Sequence, residues 1–92
     1  MNAIVRIPSQ LRELTDGQGE VSLSGATVGE VLKELDATYH GIGERIFDGS
    51  GGLRRFVNVF LADEDVRFME GLDTPVEDGQ VISIIPAVAG GS

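Results

Sequence analysis

The amino-acid sequence predicts an α+β fold in which a mixed sheet of about five strands packs on one main helix. Near the middle of the chain, Val28, Val31, Leu32, Leu35 and Tyr39 recur at helical spacing, with Glu30, Lys33, Glu34 and Asp36 on the opposite side. On either side of that stretch, short runs alternate between apolar and polar residues, as half-buried strands do. The order reads strand, strand, helix, strand, short strand, strand. One helix laid across the sheet would bury every inward face.

The first strand spans Ala3 to Ile7, with Ala3, Val5 and Ile7 on one face and Ile4 and Arg6 on the other. Pro8 ends it, because proline has no N–H for a sheet ladder. Thr15-Asp16-Gly17-Gln18-Gly19 is turn chemistry, and Glu20 to Ser24 alternates again with Val21 and Leu23 inward. These two strands form an antiparallel hairpin with a connection longer than a tight turn. Thr27-Val28-Gly29-Glu30 is a capping-box pattern, in which a hydroxyl and a carboxylate satisfy orphan N–H groups at a helix start. Gly41 suits the left-handed position that closes a helix.

Ile42 to Phe47 reads as a short helical turn that places Ile42, Ile46 and Phe47 on the core. Asp48-Gly49-Ser50-Gly51-Gly52 follows as a mobile loop, since its glycines are costly to hold in one conformation. Phe56 to Leu61 is a strand rich in β-branched and aromatic residues. Asp63-Glu64-Asp65 is expected as the turn and Val66-Arg67-Phe68 as a short return strand. Leu72 and Val76 are expected as buried anchors, Glu77 to Gln80 as a turn, and Val81 to Ile85 as the last strand. The first and last strands would then lie side by side and parallel at the centre of the sheet.

Composition narrows the function classes. With 92 residues there is room for one core. Seven Lys and Arg against fifteen Asp and Glu give a net charge of -8, which opposes binding to nucleic acid or to an anionic membrane surface. The longest apolar run, near Val81 to Ile85, is too short to span a bilayer, and the first residues lack the pattern of a secretory signal. A cytoplasmic location follows as the expectation. The chain has no cysteine and a single histidine, His40, so thiolate chemistry and a Cys or His metal centre are excluded. His40 follows the helix, where its imidazolium would complement the dipole. No phosphate-binding glycine motif is present, and no set of residues for self-contained catalysis emerges.

The end of the chain is the informative part. After Pro86 come Ala87-Val88-Ala89-Gly90-Gly91-Ser92, small uncharged residues that cannot build a core. Residues 1–86 are therefore expected as the folded domain and residues 87–92 as a flexible tail. Two glycines without Cβ atoms can thread a narrow channel and bring a backbone carbonyl close to a reactive group.

With that tail on this strand-helix order, the sequence resembles the ubiquitin-like sulfur carrier proteins of the ThiS/MoaD family over nearly its whole length. The residues that carry the resemblance are Pro86-Ala87-Val88-Ala89-Gly90-Gly91 and the approach Asp78-Gly79-Gln80-Val81-Ile82-Ser83-Ile84-Ile85. Phe56-Val57-Asn58-Val59-Phe60, followed by Asp63 to Phe68, is most similar to the actinobacterial carriers of cysteine biosynthesis. The resemblance implies a β-grasp fold and a C-terminal Gly91 that is adenylated and becomes a thiocarboxylate. Val88, Ala89, Gly90 and Gly91 would enter the activating site.

The implied partners are an ATP-dependent activating enzyme, a PLP-containing cysteine synthase acting on O-phosphoserine, and a zinc metalloprotease. ATP, PLP and zinc would belong to those partners, with no cofactor on this chain, which is expected to be a monomer when free. Thiamine thiazole, molybdopterin or a secondary metabolite could take the sulfur instead, and a protein modifier or a plain interaction domain are the other classes. Ser92 departs from the pattern. Family members are activated at a free terminal glycine, so Ser92 must be trimmed or be foreign to the natural chain.

Strand alternation leaves Phe60 and Ile85 on the sheet face away from the helix, as an apolar patch for a partner. A register slip of one residue would instead bury them. The acidic triplet Asp63-Glu64-Asp65 reads as a solvated turn, and Arg54 and Arg55 as strand-start residues that could also meet an acidic partner.

Overall fold

A computed structural model describes residues 2–86. Five strands form one sheet in the order β2-β1-β5-β3-β4: β1 (Asn2–Arg6), β2 (Glu20–Ser24), β3 (Val57–Leu61), β4 (Glu64–Asp65) and β5 (Val81–Pro86). β1 pairs antiparallel with β2 and parallel with β5, so the first and last strands share the centre as the sequence predicts. β3 pairs antiparallel with both β5 and β4.

The main helix α1 (Val28–Thr38) packs on one face of this sheet through Val28, Val31, Leu32 and Leu35, all fully buried. They meet Ala3, Val5, Val57, Val59, Leu61, Ile82 and Ile84 from the strands in one apolar core. The helix begins where the capping pattern places it. Thr27 Oγ1 accepts from the Glu30 N–H at 3.2 Å, and Glu30 Oε1 accepts from the Ala26 N–H at 3.1 Å. The reciprocal bond thus reaches one residue further back than the usual box. Gly29 serves close packing: a Cβ there would lie 3.0 Å from the Leu72 carbonyl oxygen. The chain around Leu72 to Val76 is tied across the helix start by Val28 N–H to Thr74 O and Val76 N–H to Ala26 O.

A short helix α2 (Gly43–Ile46) follows, with Ile42 and Ile46 fully buried and Phe47 packed on the core. Asp36 on α1 accepts from the Gly43 N–H at 2.8 Å and so fixes the turn between the helices. Gly41 does adopt a positive φ of 100°, but α1 already ends at Thr38, capped by the Tyr39 N–H to the Leu35 carbonyl. The helix thus ends one residue before the position that closure by Gly41 implies. Residues 48–52 form a loop organised by Asp48, whose Oδ1 accepts from the Ser50 N–H, the Ser50 hydroxyl and the Gly52 N–H.

Elsewhere the sequence expectation is corrected. The connection after Pro8 contains a 3₁₀ helix, Ser9–Thr15, that buries Leu11 and Thr15. Thr15 is tolerated there because its hydroxyl lies within hydrogen-bonding distance of the Arg12 and Gln18 carbonyls. The β3–β4 turn is Ala62-Asp63, and Glu64–Asp65 is the return strand rather than part of the turn. Val66-Arg67-Phe68, expected as that strand, is a 3₁₀ turn in which Asp65 Oδ1 accepts from the Arg67 N–H at 2.8 Å. The reason is Ala62, which takes a φ of 56°. L-residues other than Asn, Asp and Gly seldom adopt that conformation, so the polar triplet looked like the better turn. Strand limits also move by a residue: β1 is Asn2–Arg6, β3 starts at Val57 rather than Phe56, and β5 runs on to Pro86.

Among the described residues, no helix is long and apolar enough to cross a membrane.

Candidate functional site

The site is built from the outer sheet face and the end of β5, from which the terminal segment continues. Val88, Ala89, Gly90 and Gly91, the expected activating-site tail, lie outside the described residues with Ser92. The part that is described begins at Pro86, whose Cα partner in the ladder is Val57.

Register decides the outer face. Ile82 and Ile84 point into the core, which leaves Val81, Ser83 and Ile85 outward. On β3, Val57, Val59 and Leu61 point inward and leave Asn58 and Phe60 outward. Phe60 sits opposite Ser83 and Ile85 opposite Asn58, which makes Phe60 and Ile85 diagonal neighbours on one surface. The proposed register therefore holds. Ile85 is 47% exposed and Phe60 is half-buried. Together with Arg6, Ala62, Asp63, Val81 and Ser83 they line a shallow groove of about 470 Å³. Arg6 at its border pairs with Glu20 at 3.4 Å, an exposed contact that contributes little to stability. On this surface Ser83 sits between Val81 and Ile85, with Phe60 across one ladder and Arg6 across the other.

A second surface lies at the root of the tail and was not resolved as a site by the sequence. Arg54, Arg55 and Phe56 precede β3, opposite the end of β5, and with Glu44, Arg45, Asp48, Val57 and Pro86 they line a larger groove of about 900 Å³. Phe56, read as a strand residue, is 54% exposed here. The backbone that carries it is tied from two sides: Arg54 Nε donates to the Glu44 carbonyl at 2.7 Å, and the Arg67 guanidinium donates to the Arg54 carbonyl and to Asn58 Oδ1. Arg67 gave no signal in the sequence, since its partners are nine and thirteen residues away.

Asp48 is the one described group with a clear shift in acidity. Hydrogen bonds from the Ser50 hydroxyl and N–H, then from the Gly52 N–H, and the nearby Arg54 charge hold its carboxyl below the usual carboxylate range. A carboxylate depressed in this way keeps its loop bonds above the unfolded pKa and loses them as the pH falls through the folded value. His40 is exposed beyond the end of α1, and among the described residues no three His, Cys, Asp or Glu side chains are placed to hold a metal ion. The geometry supplies two grooves beside the end of β5, one lined by Phe60 and Ile85 and one by Arg54, Arg55, Phe56 and Pro86.

Comparison with known proteins agrees with this architecture. The model of the ThiS family matches residues 5–91. The chain is 54% identical to the sulfur carrier protein CysO of Mycobacterium tuberculosis, over 99% of this chain and 100% of that one. It is 39% identical to small archaeal modifier protein 3 of Haloferax volcanii, over 72% of this chain and 71% of the relative. Among solved structures, a chain of the Amycolatopsis orientalis BexX/CysO complex superposes with a TM-score of 0.90 at 44% identity, covering 97% of this chain and 99% of that one. The crystal structure of Mycobacterium tuberculosis CysO gives 0.88 at 51% identity, covering 94% and 99%. The five-stranded sheet on its helix is therefore the β-grasp fold, and with the family match running from the first strand to Gly91 the chain belongs to the ThiS family.

Proposed function

We propose that this protein is a sulfur carrier, a co-substrate rather than a catalyst, whose tail is activated at Gly91 once Ser92 has been removed. The observation that carries the reading is the family match extending to Gly91, in a chain with 54% identity to a named sulfur carrier. A carboxylate is a poor electrophile. An activating enzyme would let a Gly91 carboxylate oxygen attack the α-phosphorus of ATP, expelling pyrophosphate and leaving an acyl-adenylate. Hydrosulfide then attacks the carbonyl carbon, and AMP departs with the bridging oxygen. The product is a Gly91 thiocarboxylate.

The outer sheet patch supports this reading as the place where the activating enzyme docks. Ile85→Asp leaves the fold intact, because the side chain is half in water already, but puts a charge into an apolar interface. The apparent KM of the activating enzyme for the carrier should rise at least about tenfold, with the unfolding midpoint nearly unchanged. A variant with unchanged KM removes Ile85 from the interface. Phe60→Asp, at a half-buried position, should act in the same direction with some loss of stability.

Cysteine biosynthesis is the acceptor pathway best supported, through the relation to CysO. The thiocarboxylated chain, offered to a PLP-dependent synthase with O-phosphoserine, should end with cysteine attached through Gly91, read as a mass increase on the intact carrier. A zinc metalloprotease would then free the amino acid. If thiazole or molybdopterin synthase consumes the thiocarboxylate and the cysteine synthase does not, the pathway assignment is wrong while the carrier role stands. The relation to a small archaeal modifier favours protein conjugation as a second reading, and isopeptide-linked adducts in extracts supplied with ATP would reveal it.

A further inference from the structure

We infer that the groove at the tail root, with Arg45, Arg55 and Phe56 on its wall, is a second anchoring surface that docks on an acidic patch beside the tail-receiving cleft of the activating enzyme. The inference rests on the carrier reading above and adds to it a partner chemistry.

Charge is the first argument. The chain carries a net -8 with only seven Lys and Arg, yet three arginines, Arg45, Arg54 and Arg55, line this one groove. Two carboxylates face them, Glu44 and Asp48. The Asp48 Oδ1 is turned to three donors of its own loop, and Glu44 gives Arg54 Nε only its backbone carbonyl, so with three arginines against two carboxylates the groove keeps a formal charge of about +1. The guanidinium groups of Arg45 and Arg55 make no hydrogen bond or ion pair among the described residues, so both are uncommitted donors. A basic groove on an acidic protein orients the molecule toward an acidic surface before contact.

Position is the second argument. Pro86 lines the same groove, and the five residues from Ala87 to Gly91 span at most about 18 Å when fully extended. An enzyme that holds Gly91 in its cleft must therefore bring the rim of that cleft close to this groove. Phe56, 54% exposed, supplies an aromatic contact next to the arginines, and the Arg67 and Arg54 clamps hold the turn that carries it. Arginine and aromatic side chains on a pre-organised wall are the composition of an interface anchor.

The test uses the chain ending at Gly91 and its ATP-dependent activating enzyme. Arg45→Glu/Arg55→Glu removes no hydrogen bond of the fold and reverses both free charges. The KM for the carrier should rise about tenfold or more with kcat little changed, and the fall in kcat/KM with added salt expected for the wild type should be absent from the Glu variant. Arg45→Lys/Arg55→Lys should stay within about threefold of the wild type if charge is what the partner reads. An unchanged KM and salt dependence in the Glu variant overturns the inference while the wild-type conversion still upholds the carrier. A KM that falls instead would mean that the groove holds the chain's own terminal carboxylate. Self-association of the wild type in sedimentation, lost in the Glu variant, would place a second copy there. Both results overturn the assignment to the enzyme. If the wild-type chain itself gains no sulfur, the carrier reading fails and takes this inference with it.

Discussion

Leu35→Ala should lower the stability of the domain by about 2–5 kcal/mol, the largest loss expected from a single side chain. Leu35 is fully buried on α1 and joins the cluster that includes Val5, Val59 and Ile82. Removing its isobutyl group forfeits the transfer free energy and leaves a cavity between helix and sheet that a small domain has little spare core to fill. Helix propensity does not explain such a loss, since alanine is the better helix former. Urea unfolding gives the difference directly. In a thermal melt the midpoint should fall by roughly 10–30 °C. Lys33→Ala, on the exposed side of the same helix, is the control and should stay within about 0.5 kcal/mol. A Leu35 variant that loses less than about 1 kcal/mol would mean that α1 does not seat on the sheet through this face.

What the sequence displays and what it conceals follow from the range of the interactions. α1 and the central strands were legible because periodicity and a capping pattern are written in neighbouring residues, and burial of one face leaves no freedom of register. The outer-face placement of Phe60 and Ile85 followed from the same alternation. The β3–β4 turn was misplaced because Ala62 carries a left-handed conformation without a glycine or asparagine to announce it. Thr15 was read as turn chemistry because a buried hydroxyl is acceptable only once its two carbonyl neighbours are folded around it. The groove at the tail root was hidden for a similar reason. It assembles residues of α2, of the turn before β3 and of the end of β5, and the Arg67 clamp that holds part of it comes from beyond β4. Arg54 and Arg55 could be noticed in the sequence, but Arg45 could not be joined to them before the fold was known.

Two surfaces next to the same strand end suit different jobs. Docking as proposed on the apolar face around Ile85 would act by desolvation and resist salt, whereas docking through the arginines at the tail root would act through charge and fade as ionic strength rises. Combining the two classes of substitution should therefore give effects on KM that are separable by salt titration.

Ser92 exposes most directly whether Gly91 is the sulfur-bearing end of the carrier. Adenylation needs an unsubstituted Gly91 carboxylate on a tail thin enough to enter the activating site, and one further residue converts that carboxylate into an amide. Intact-protein mass spectrometry after incubation with ATP, activating enzyme and a sulfide source reads the outcome. The chain ending at Gly91 should gain the mass difference between sulfur and oxygen. The chain ending at Ser92 should remain unchanged until a metalloprotease has removed that residue. A Gly91-ending chain that keeps its original mass, with an enzyme that does convert another carrier of the family, would contradict the account.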